Sequence, residues 1–386
     1  MQISDLSETA QLKILHCGVE FFPELIRSIE SAKHEVYLET YIFADDPTGE
    51  EVVGALVAAA RRGVAVHLLI DGFGSKEYPR EKLGSMRDQG VQIRVYRPGF
   101  LNFRFLRTGI RRLHRKLVVI DRQFGFVGGI NILHDFDSGC STPRYDFAVR
   151  IEGALVGSVF AAVTRLWWLV SWSQLKRREK HASPISLKDA RLALPLGETA
   201  SLILRDNLRN RHTIEEAYLE TIGNAKKRII IANAYFLPGK KLLEAISAAA
   251  RRGVDVQLLL QGRVEYFMQH HASQYLYGRL IAAGVKIFLY RPALLHAKVA
   301  VVDDWATIGS SNLDPFSLQL AREANIVVRD PAFTVQLAGE LQRAINEDAQ
   351  SVSASDWQNA GLYEKLLIRL SYFGLRFTQQ LVITSG

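Results

Sequence analysis

The pattern His-x-Lys-x-x-x-x-Asp occurs twice in this chain, as HRKLVVID and as HAKVAVVD. The motif residues are His114, Lys116, Asp121, His296, Lys298 and Asp303. A turn of small residues that ends in asparagine follows each copy, at 128–131 and at 309–312. Two copies, each followed by the same kind of turn, predict one active site built from two halves of the chain.

The sequence around the motif repeats as well. AAARRGV stands at 58–64 and again at 248–254, and each copy precedes an apolar run, VHLLIDG or VQLLLQG. GVQIRVYRP and GVKIFLYRP follow in turn. The offset between copies is about 180 to 195 residues, far longer than the period of a solenoid. The chain is therefore a two-fold internal duplication with one His-Lys-Asp set in each half.

Composition predicts a globular protein with a basic surface. The 386 residues are 48% apolar, which is enough for two domains with a large core. A formal charge of +8 and a pI near 9.4 favour a polyanionic partner, either an anionic membrane surface or nucleic acid.

Compartment signals are weak but consistent. Cys17 and Cys140 lack the spacing of a metal or redox site and suggest no disulfide framework, which fits a reducing cytoplasm. The N-terminus carries no basic segment leading into an apolar core, and no uninterrupted apolar run reaches about 18 residues. We expect a protein that does not cross a membrane.

Strand-like and helix-like segments alternate in both halves, which favours a parallel or mixed sheet covered by helices. The predicted strands are 35–43, 64–71, 91–96, 115–121, 124–128, 146–151, 228–235, 254–260, 285–290, 297–303 and 323–328, and the predicted helices are 49–62, 80–89, 240–252 and 266–283.

The charged, proline-containing stretch 176–198 interrupts this alternation. We place a linker at 179–198, between a first lobe at 1–178 and a second lobe at 199–350. Residues 351–386 lie outside the repeat and form an amphipathic tail.

The paired motif has the chemistry of phosphoryl transfer. On a strand, residues i and i+2 face the same way, so each histidine points in the same direction as its lysine. Imidazole acts as nucleophile, acid or base near neutral pH, and lysine supplies a positive charge for a phosphate oxygen. If the two halves pack with these faces together, two histidines and two lysines surround one anion, where positive side chains take the place of a metal.

Two other interpretations fit less well. A protonated lysine beside each histidine would repel a divalent cation, and no third ligand recurs at suitable spacing, so we expect no metal and no cofactor. Buried structural histidines would not explain why lysine also repeats within apolar runs, because an unpaired buried lysine is costly.

The remaining repeated polar residues divide into two groups. We count Asp121 and Asp303 with the catalytic residues as members of the motif. Each lies an odd number of residues from its histidine, so a regular strand aims it at the other face, where it would support the fold or a network behind the site. Asn131 and Asn312 follow small residues, and their amides are suited to donate to phosphate oxygens.

These motifs resemble the two HKD motifs of the phospholipase D superfamily, and the similarity spans roughly residues 10 to 350. The resemblance implies an α/β fold of two pseudo-symmetric α/β/α sandwich lobes with the active site at their interface. It also implies a ping-pong mechanism through a covalent phosphohistidine, with His114 as nucleophile and His296 as acid and base, although the near symmetry leaves the reverse order open. Asp146 and Glu323 match the acidic residues that orient the histidines in such enzymes, unless they are solvated strand-end carboxylates.

Within the superfamily, LETYIF from Leu38, IANAYFLPG from Ile231 and GSSNLDPFSLQLAREAN from Gly309 resemble bacterial cardiolipin synthases of the B type. The better-known members carry two N-terminal membrane helices, and we find none in this sequence, so the family pattern does not explain how the protein would attach to a membrane. The resemblance implies transfer of a phosphatidyl group from phosphatidylglycerol or phosphatidylethanolamine to phosphatidylglycerol. A hydrolytic phospholipase D or a nuclease is the alternative enzyme. The intact His-Lys pairs argue against a membrane-binding scaffold without catalytic activity. Nucleic acid is not the expected substrate. Because the duplication supplies both halves of the site in one chain, no oligomer is required to complete it.

Three segments combine aromatic and basic residues, at 100–116, 160–180 and 362–381. Such a composition is typical of an interfacial segment on anionic lipid, although helices packed on the core have it too, and single-stranded nucleic acid also binds such segments. We expect a peripheral protein on the cytoplasmic side of a bacterial inner membrane.

Overall fold

The fold is taken from a computed structural model, which describes residues 10–98, 111–137, 139–173, 199–206, 210–353 and 361–384. The predicted linker and most of the predicted interfacial segment 100–116 lie outside these residues.

The first half of the chain forms a seven-stranded mixed sheet with the order β1-β7-β6-β5-β2-β3-β4. Strands β2, β3 and β4, at one side of the sheet, are parallel to one another, and the other strand pairs are antiparallel. Its elements are β1 (Gln11–His16), α1 (Cys17–Glu30), β2 (Glu35–Thr40), α2 (Pro47–Arg61), β3 (Ala65–Asp71), α3 (Arg80–Asp88), β4 (Gln92–Tyr96), β5 (Lys116–Ile120), β6 (Phe124–Gly128), β7 (Phe147–Glu152) and α4 (Leu155–Ser173).

The second half forms an eight-stranded sheet with the order β15-β11-β10-β9-β12-β13-β14-β8. Its elements are β8 (Ala200–Arg205), α5 (Thr213–Asn224), β9 (Arg228–Asn233), α6 (Lys240–Arg251), β10 (Asp255–Gln261), α7 (Phe267–Gln274), α8 (Tyr277–Ala282), β11 (Lys286–Tyr290), β12 (Lys298–Val302), β13 (Trp305–Gly309), α9 (Pro315–Gln319), β14 (Glu323–Val328), α10 (Pro331–Glu347), β15 (Ala349–Val352) and α11 (Leu362–Thr384).

The two sheets share one topology. β7-β6-β5-β2-β3-β4 in the first corresponds strand by strand to β14-β13-β12-β9-β10-β11 in the second, with β1 and β8 at equivalent edges. The repeated RRG sequence explains one shared detail, because Gly63 and Gly253 follow the equivalent helices α2 and α6 with φ of 90° and 91°, a backbone conformation that favours glycine. The predicted α/β fold of two equivalent lobes is confirmed.

A single buried apolar cluster joins the two sheets. Val119 and Val149 from the first sheet belong to it together with Val299 and Ile308 from the second, and α4 packs into the same cluster. Burial of so much apolar surface between the lobes holds the ends of β5 and β12 in a fixed relation. The motif residues therefore meet on a rigid frame.

Helix α4 is the element to compare with the expectation that the chain does not cross a membrane. In the part of the chain that the structure describes, it is the one helix long and apolar enough to cross a membrane by length and composition. In the fold, 56% of its 18-residue apolar window is buried, and most of its apolar side chains lie in the cluster between the sheets, whereas Leu169 and Trp172 are exposed. That is the position of a core helix.

The prediction of one helix over 266–283 is wrong. The helix is interrupted after α7, where the N–H of Leu276 donates to the carbonyl of Ser273 at 3.1 Å in a tighter turn, and α8 begins at Tyr277. Ala272, Leu276 and Leu280 are all buried at a spacing of four residues, so both helices bury the same face despite the interruption.

Candidate active site

The segments that carry the two histidines pair with the opposite lobe. The N–H of His114 donates to the carbonyl of Arg322 at 3.0 Å, and the N–H of His296 donates to the carbonyl of Tyr145 at 2.9 Å. Each pairing is a short parallel bridge between lobes. The residue that follows Arg322 is Glu323 and the residue that follows Tyr145 is Asp146, so each carboxylate is placed opposite the histidine of the other half.

Each histidine is hydrogen-bonded through Nδ1 to that carboxylate. The distance from Nδ1 of His114 to Oε1 of Glu323 is 3.0 Å, and that from Nδ1 of His296 to Oδ2 of Asp146 is 2.6 Å. A carboxylate only accepts, so Nδ1 carries the proton and Nε2 keeps its lone pair for the site. The sequence pointed to both acidic residues but not to the exchange between halves.

Both motif lysines are buried between the histidines and these acids. The Nζ of Lys116 donates to the carbonyl of His114 at 2.7 Å, and Lys298 donates to the carbonyl of His296. Burial, reinforced by the charge of Lys298, lowers the pKa of Lys116 to about 7, and burial lowers the pKa of Lys298 to about 8 against the raising effect of Asp146. An anion between the two ammonium groups would relieve this repulsion.

The histidines and Asp146 respond to the same burial. Burial lowers the pKa of His114 against the raising effect of Glu323, and burial with the charges of both lysines holds the pKa of His296 well below its usual value. Burial raises the pKa of Asp146 to about 6. At neutral pH the free enzyme therefore holds two neutral imidazoles, with 15% of the His114 side chain and 18% of the His296 side chain exposed.

The small-residue turns lie directly behind the acids. Ser310 donates from Oγ to Glu323 at 2.5 Å, whereas a side chain at the equivalent Gly129 would lie 2.3 Å from Asp146, so only glycine fits there. The turn asparagines are buried: Oδ1 of Asn131 accepts from a backbone N–H at 3.2 Å, and Oδ1 of Asn312 has no hydrogen-bond partner among the described residues. Phosphate binding by the two asparagines stays a prediction.

The motif aspartates lie at the other ends of β5 and β12 and have a structural role, which corrects their inclusion among the catalytic residues. Asp121, at φ 50°, accepts backbone N–H groups from residues 33, 34 and 35 at 2.7 to 2.8 Å. Asp303, at φ 51°, accepts the N–H groups of residues 226, 227 and 228 at 2.8 to 3.0 Å. Each carboxylate ties the end of the motif strand to the start of the neighbouring strand.

Sequence reasoning missed Tyr41 and Glu39. The ring of Tyr41 lies 4.9 Å from that of His114, and the Nζ of Lys116 lies 5.6 Å from the centre of the tyrosine ring. Glu39 is buried and accepts a two-pronged ion pair from Arg115 at 2.6 and 2.9 Å, which fixes the chain between the histidine and the lysine. A polar residue within the buried run LETYIF was the available signal.

Metal ligation has no visible basis in the described ranges, where no group of three or more His, Cys, Asp or Glu side chains is arranged to hold an ion. The groups aimed at the site are imidazoles and ammonium groups, and these favour an anion.

A family model described as cardiolipin synthase, PLD-like domain, matches residues 25–139 and 218–345, so that each matched range contains one His-Lys pair. The chain belongs to this family. It is 39% identical to cardiolipin synthase B of Salmonella typhi over 90% of this chain and 83% of that one, and 36% identical to cardiolipin synthase B of Escherichia coli K12 over 89% and 83%. The resemblance to the phospholipase D superfamily is thereby confirmed.

Solved structures agree on the fold. Phosphatidylserine synthase of Haemophilus influenzae Rd KW20 aligns over 98% of this chain and 97% of its own with a TM-score of 0.73 and 16% identity. Polyphosphate kinase of Porphyromonas gingivalis aligns over 96% of this chain and 53% of its own with a TM-score of 0.58 and 15% identity. At these identities the likeness concerns the fold alone.

Proposed function

We propose that this protein is a phosphatidyltransferase that makes cardiolipin by passing a phosphatidyl group through a histidine to phosphatidylglycerol. The observation that carries the proposal is the pair of imidazoles, each oriented through Nδ1 by a buried carboxylate of the opposite lobe, around two buried lysines. Two oriented imidazoles are what a double displacement at phosphorus requires. The similarity to cardiolipin synthases supports phosphatidylglycerol as substrate.

In the first step, Nε2 of His114 attacks the phosphorus of the donor phospholipid. A nitrogen–phosphorus bond forms, the bond to the head-group oxygen breaks, and His296 gives that oxygen a proton. His296 must be protonated for this step, and its low pKa in the free enzyme results from burial and the lysine charges. A bound phosphodiester offsets the lysine charges, so the pKa of His296 rises when substrate binds.

In the second step, the head-group hydroxyl of phosphatidylglycerol gives its proton to His296 and attacks phosphorus. The nitrogen–phosphorus bond to His114 breaks, and cardiolipin leaves. With phosphatidylglycerol as donor, two molecules yield one cardiolipin and one glycerol, whereas phosphatidylethanolamine as donor would release ethanolamine. Lys116 and Lys298 stabilise the negative charge on the phosphoryl oxygens in both steps.

The protein would act as a peripheral protein on anionic lipid, on the cytoplasmic side of a bacterial inner membrane. Exposed apolar side chains at the start of α7 and along α11 form one surface, here called the apolar face, since the two helices pack together through Tyr275 and Tyr372, whose rings are 4.1 Å apart. Its members are Val264, Tyr266, Phe267, Met268, Leu362, Tyr363, Leu366, Leu370, Phe373 and Phe377. Lys365 and Arg369 on α11 complement an anionic surface, which favours a bilayer as the occupant.

The test is mass spectrometry of lipids after the purified protein is incubated with phosphatidylglycerol vesicles in EDTA. We expect cardiolipin from the wild type and none from His114→Ala or His296→Ala. As a matched control, His212→Ala removes an exposed histidine of α5's N-terminus and should leave the yield unchanged.

Phosphatidic acid without cardiolipin would identify a hydrolytic phospholipase D instead. Lipids that stay unchanged, with phosphatidylethanolamine also supplied, would overturn the proposal and direct attention to nucleic-acid substrates.

A further inference from the structure

A cleft opens to solvent in the second lobe, next to the chain segment that carries His296. It lies at the carboxyl ends of β9 and β10, and its lining includes Tyr235, Arg263, Glu265, Tyr266, Gln269 and His270. Two hydrogen bonds attach its wall to the motif: the N–H of Ala234 donates to the carbonyl of Ala297 at 3.0 Å, and Nε2 of Gln261 donates to that of Leu295 at 3.3 Å. The cleft therefore adjoins the segment that holds the second histidine.

The equivalent place in the first lobe carries different side chains. Asp71 stands where the second lobe has Gln261, and it is fully buried with its oxygens accepting the N–H groups of Phe73, Gly74 and Leu113 at 2.8 to 3.0 Å. The ring of Tyr41, where the second lobe has Ala234, lies against His114. The two halves of the site are thus alike at the histidines and different beside them.

The polar groups of the cleft suit a neutral hydroxylated ligand. Tyr235 donates from its hydroxyl to Oε2 of Glu265 at 2.5 Å, which holds this exposed carboxylate at the mouth. Oε1 of Gln269 has no hydrogen-bond partner among the described residues. A carboxylate and an amide oxygen accept hydrogen bonds from hydroxyl groups, whereas Glu265 would repel a phosphate and the guanidinium of Arg263 would repel an ammonium group.

We propose that this cleft is the subsite for the polyol head group of the acceptor, with Glu265 and Tyr235 as its specificity-determining pair. The inference rests on the phosphatidyl transfer proposed above and deepens it. One hydroxyl of the glycerol head group loses its proton to His296 and forms the new bond to phosphorus as the bond to His114 breaks. The other hydroxyl donates to Glu265, so that a diol is held where a simple alcohol is not.

The experiment is a competition within one reaction. Phosphatidylglycerol vesicles are incubated with the enzyme and a fixed concentration of ethanol, and the ratio of cardiolipin to phosphatidylethanol is measured. Both products come from the same phosphatidyl-enzyme, so the ratio is insensitive to slower formation of that intermediate or to partial unfolding. We expect Glu265→Gln to lower the ratio about tenfold, since the second hydroxyl loses its charged acceptor, and Tyr235→Phe to lower it less, since it removes only the hydrogen bond that holds this carboxylate.

Glu244→Gln is the matched control, because Glu244 is a half-exposed carboxylate on α6, away from the cleft lining, and its ratio should equal that of the wild type. If the wild type makes cardiolipin and Glu265→Gln gives the same ratio, the cleft is not the acceptor subsite, while the proposed function stands. If the wild type makes phosphatidylethanol but no cardiolipin, phosphatidyl transfer to a polyol head group fails, and the subsite fails with it.

Discussion

The charge of the site depends on pH through two buried lysines. Because the pKa of Lys116 is lowered to about 7 and that of Lys298 to about 8, the free enzyme loses positive charge as the pH rises through this range. A bound phosphodiester raises both pKa values again by attraction. We therefore expect kcat/KM, which reports the free enzyme, to fall between pH 7 and 9, while kcat is retained to higher pH.

Lys116→Arg separates this cause from others, because a guanidinium stays charged throughout the range. Rate profiles of this variant on phosphatidylglycerol vesicles should show the alkaline fall displaced to higher pH, even if the absolute rate is lower. An unchanged alkaline fall would mean that another group sets it.

For the motif aspartates, we expect substitution to reduce the stability of the fold without reducing catalytic activity. Against the raising effect of burial, hydrogen bonds from the N–H groups of residues 35, 33 and 34 hold the pKa of Asp121 below its usual value. Its stabilisation is therefore present at neutral pH and disappears as the pH falls through the lowered pKa. Asp121→Ala should reduce the free energy of unfolding by about 1 to 2 kcal/mol and leave kcat/KM at 25 °C nearly unchanged.

Thermal unfolding with parallel activity assays checks this expectation. Asp121→Asn keeps an acceptor oxygen and tolerates the positive φ, so it should lose less stability than the alanine variant. A large fall in kcat/KM at full folding would return Asp121 to the catalytic set.

At the scale of elements, the sequence predicted the order of the strands and helices better than the residues at which each one ends. Strands such as β6 and β14 were predicted with their observed bounds because an apolar run ends at a turn on either side. The strand predicted at 35–43 ends at Thr40, since beyond it the chain turns to bond with the asparagine loop, where the N–H of Ala44 donates to the carbonyl of Ile132 at 2.8 Å. A local sequence pattern cannot predict this strand end, because the residue that bonds to Ala44 comes from a distant part of the chain.

The apolar face of α7 and α11 supports a prediction about membrane attachment. Leu366 and Phe377 are 54% and 64% exposed, so their replacement by aspartate removes apolar contact and adds repulsion toward anionic lipid without cutting into the core. We expect the double variant Leu366→Asp, Phe377→Asp to lose at least about tenfold in binding to phosphatidylglycerol vesicles, measured by cosedimentation.

Val335→Asp is a matched control, since Val335 is 64% exposed on α10 and is not part of the apolar face. Equal losses in the control and the double variant would show that added negative charge alone weakens binding, which would remove the apolar face as the docking surface.

At the scale of the whole molecule, the duplication allowed two equivalent lobes and a shared site to be predicted, but not how the halves are linked. His114 and Glu323 are 209 positions apart, and His296 and Asp146 are 150 positions apart. Nothing in either repeat marks its acid as a partner for the other copy, because the pairing follows from the bridges at Arg322 and Tyr145, which form only when the lobes dock. Each half therefore completes the other's histidine.

The pairing between lobes predicts which carboxylate orients the nucleophilic histidine. In a His296→Ala background, a substrate with p-nitrophenol as head group needs no acid to leave, so a burst of nitrophenolate reports formation of the phosphatidyl-enzyme on His114. Adding Glu323→Gln should reduce the burst rate about 10- to 100-fold, because the imidazole loses the carboxylate that orients it. Adding Asp146→Asn should change the rate little, since its histidine is already absent.

The His114→Ala background is the control for which histidine is the nucleophile. In His114→Ala we expect no burst, whichever acid is altered, and melting temperatures of all variants show whether loss of the buried Glu323 carboxylate has unfolded the protein. A burst in His114→Ala that depends on Asp146 would assign the nucleophile to His296 and leave the cross-lobe pairing intact. A burst in His296→Ala that depends on Asp146 and not on Glu323 would contradict the pairing itself, because the histidine would then be served from its own half of the chain.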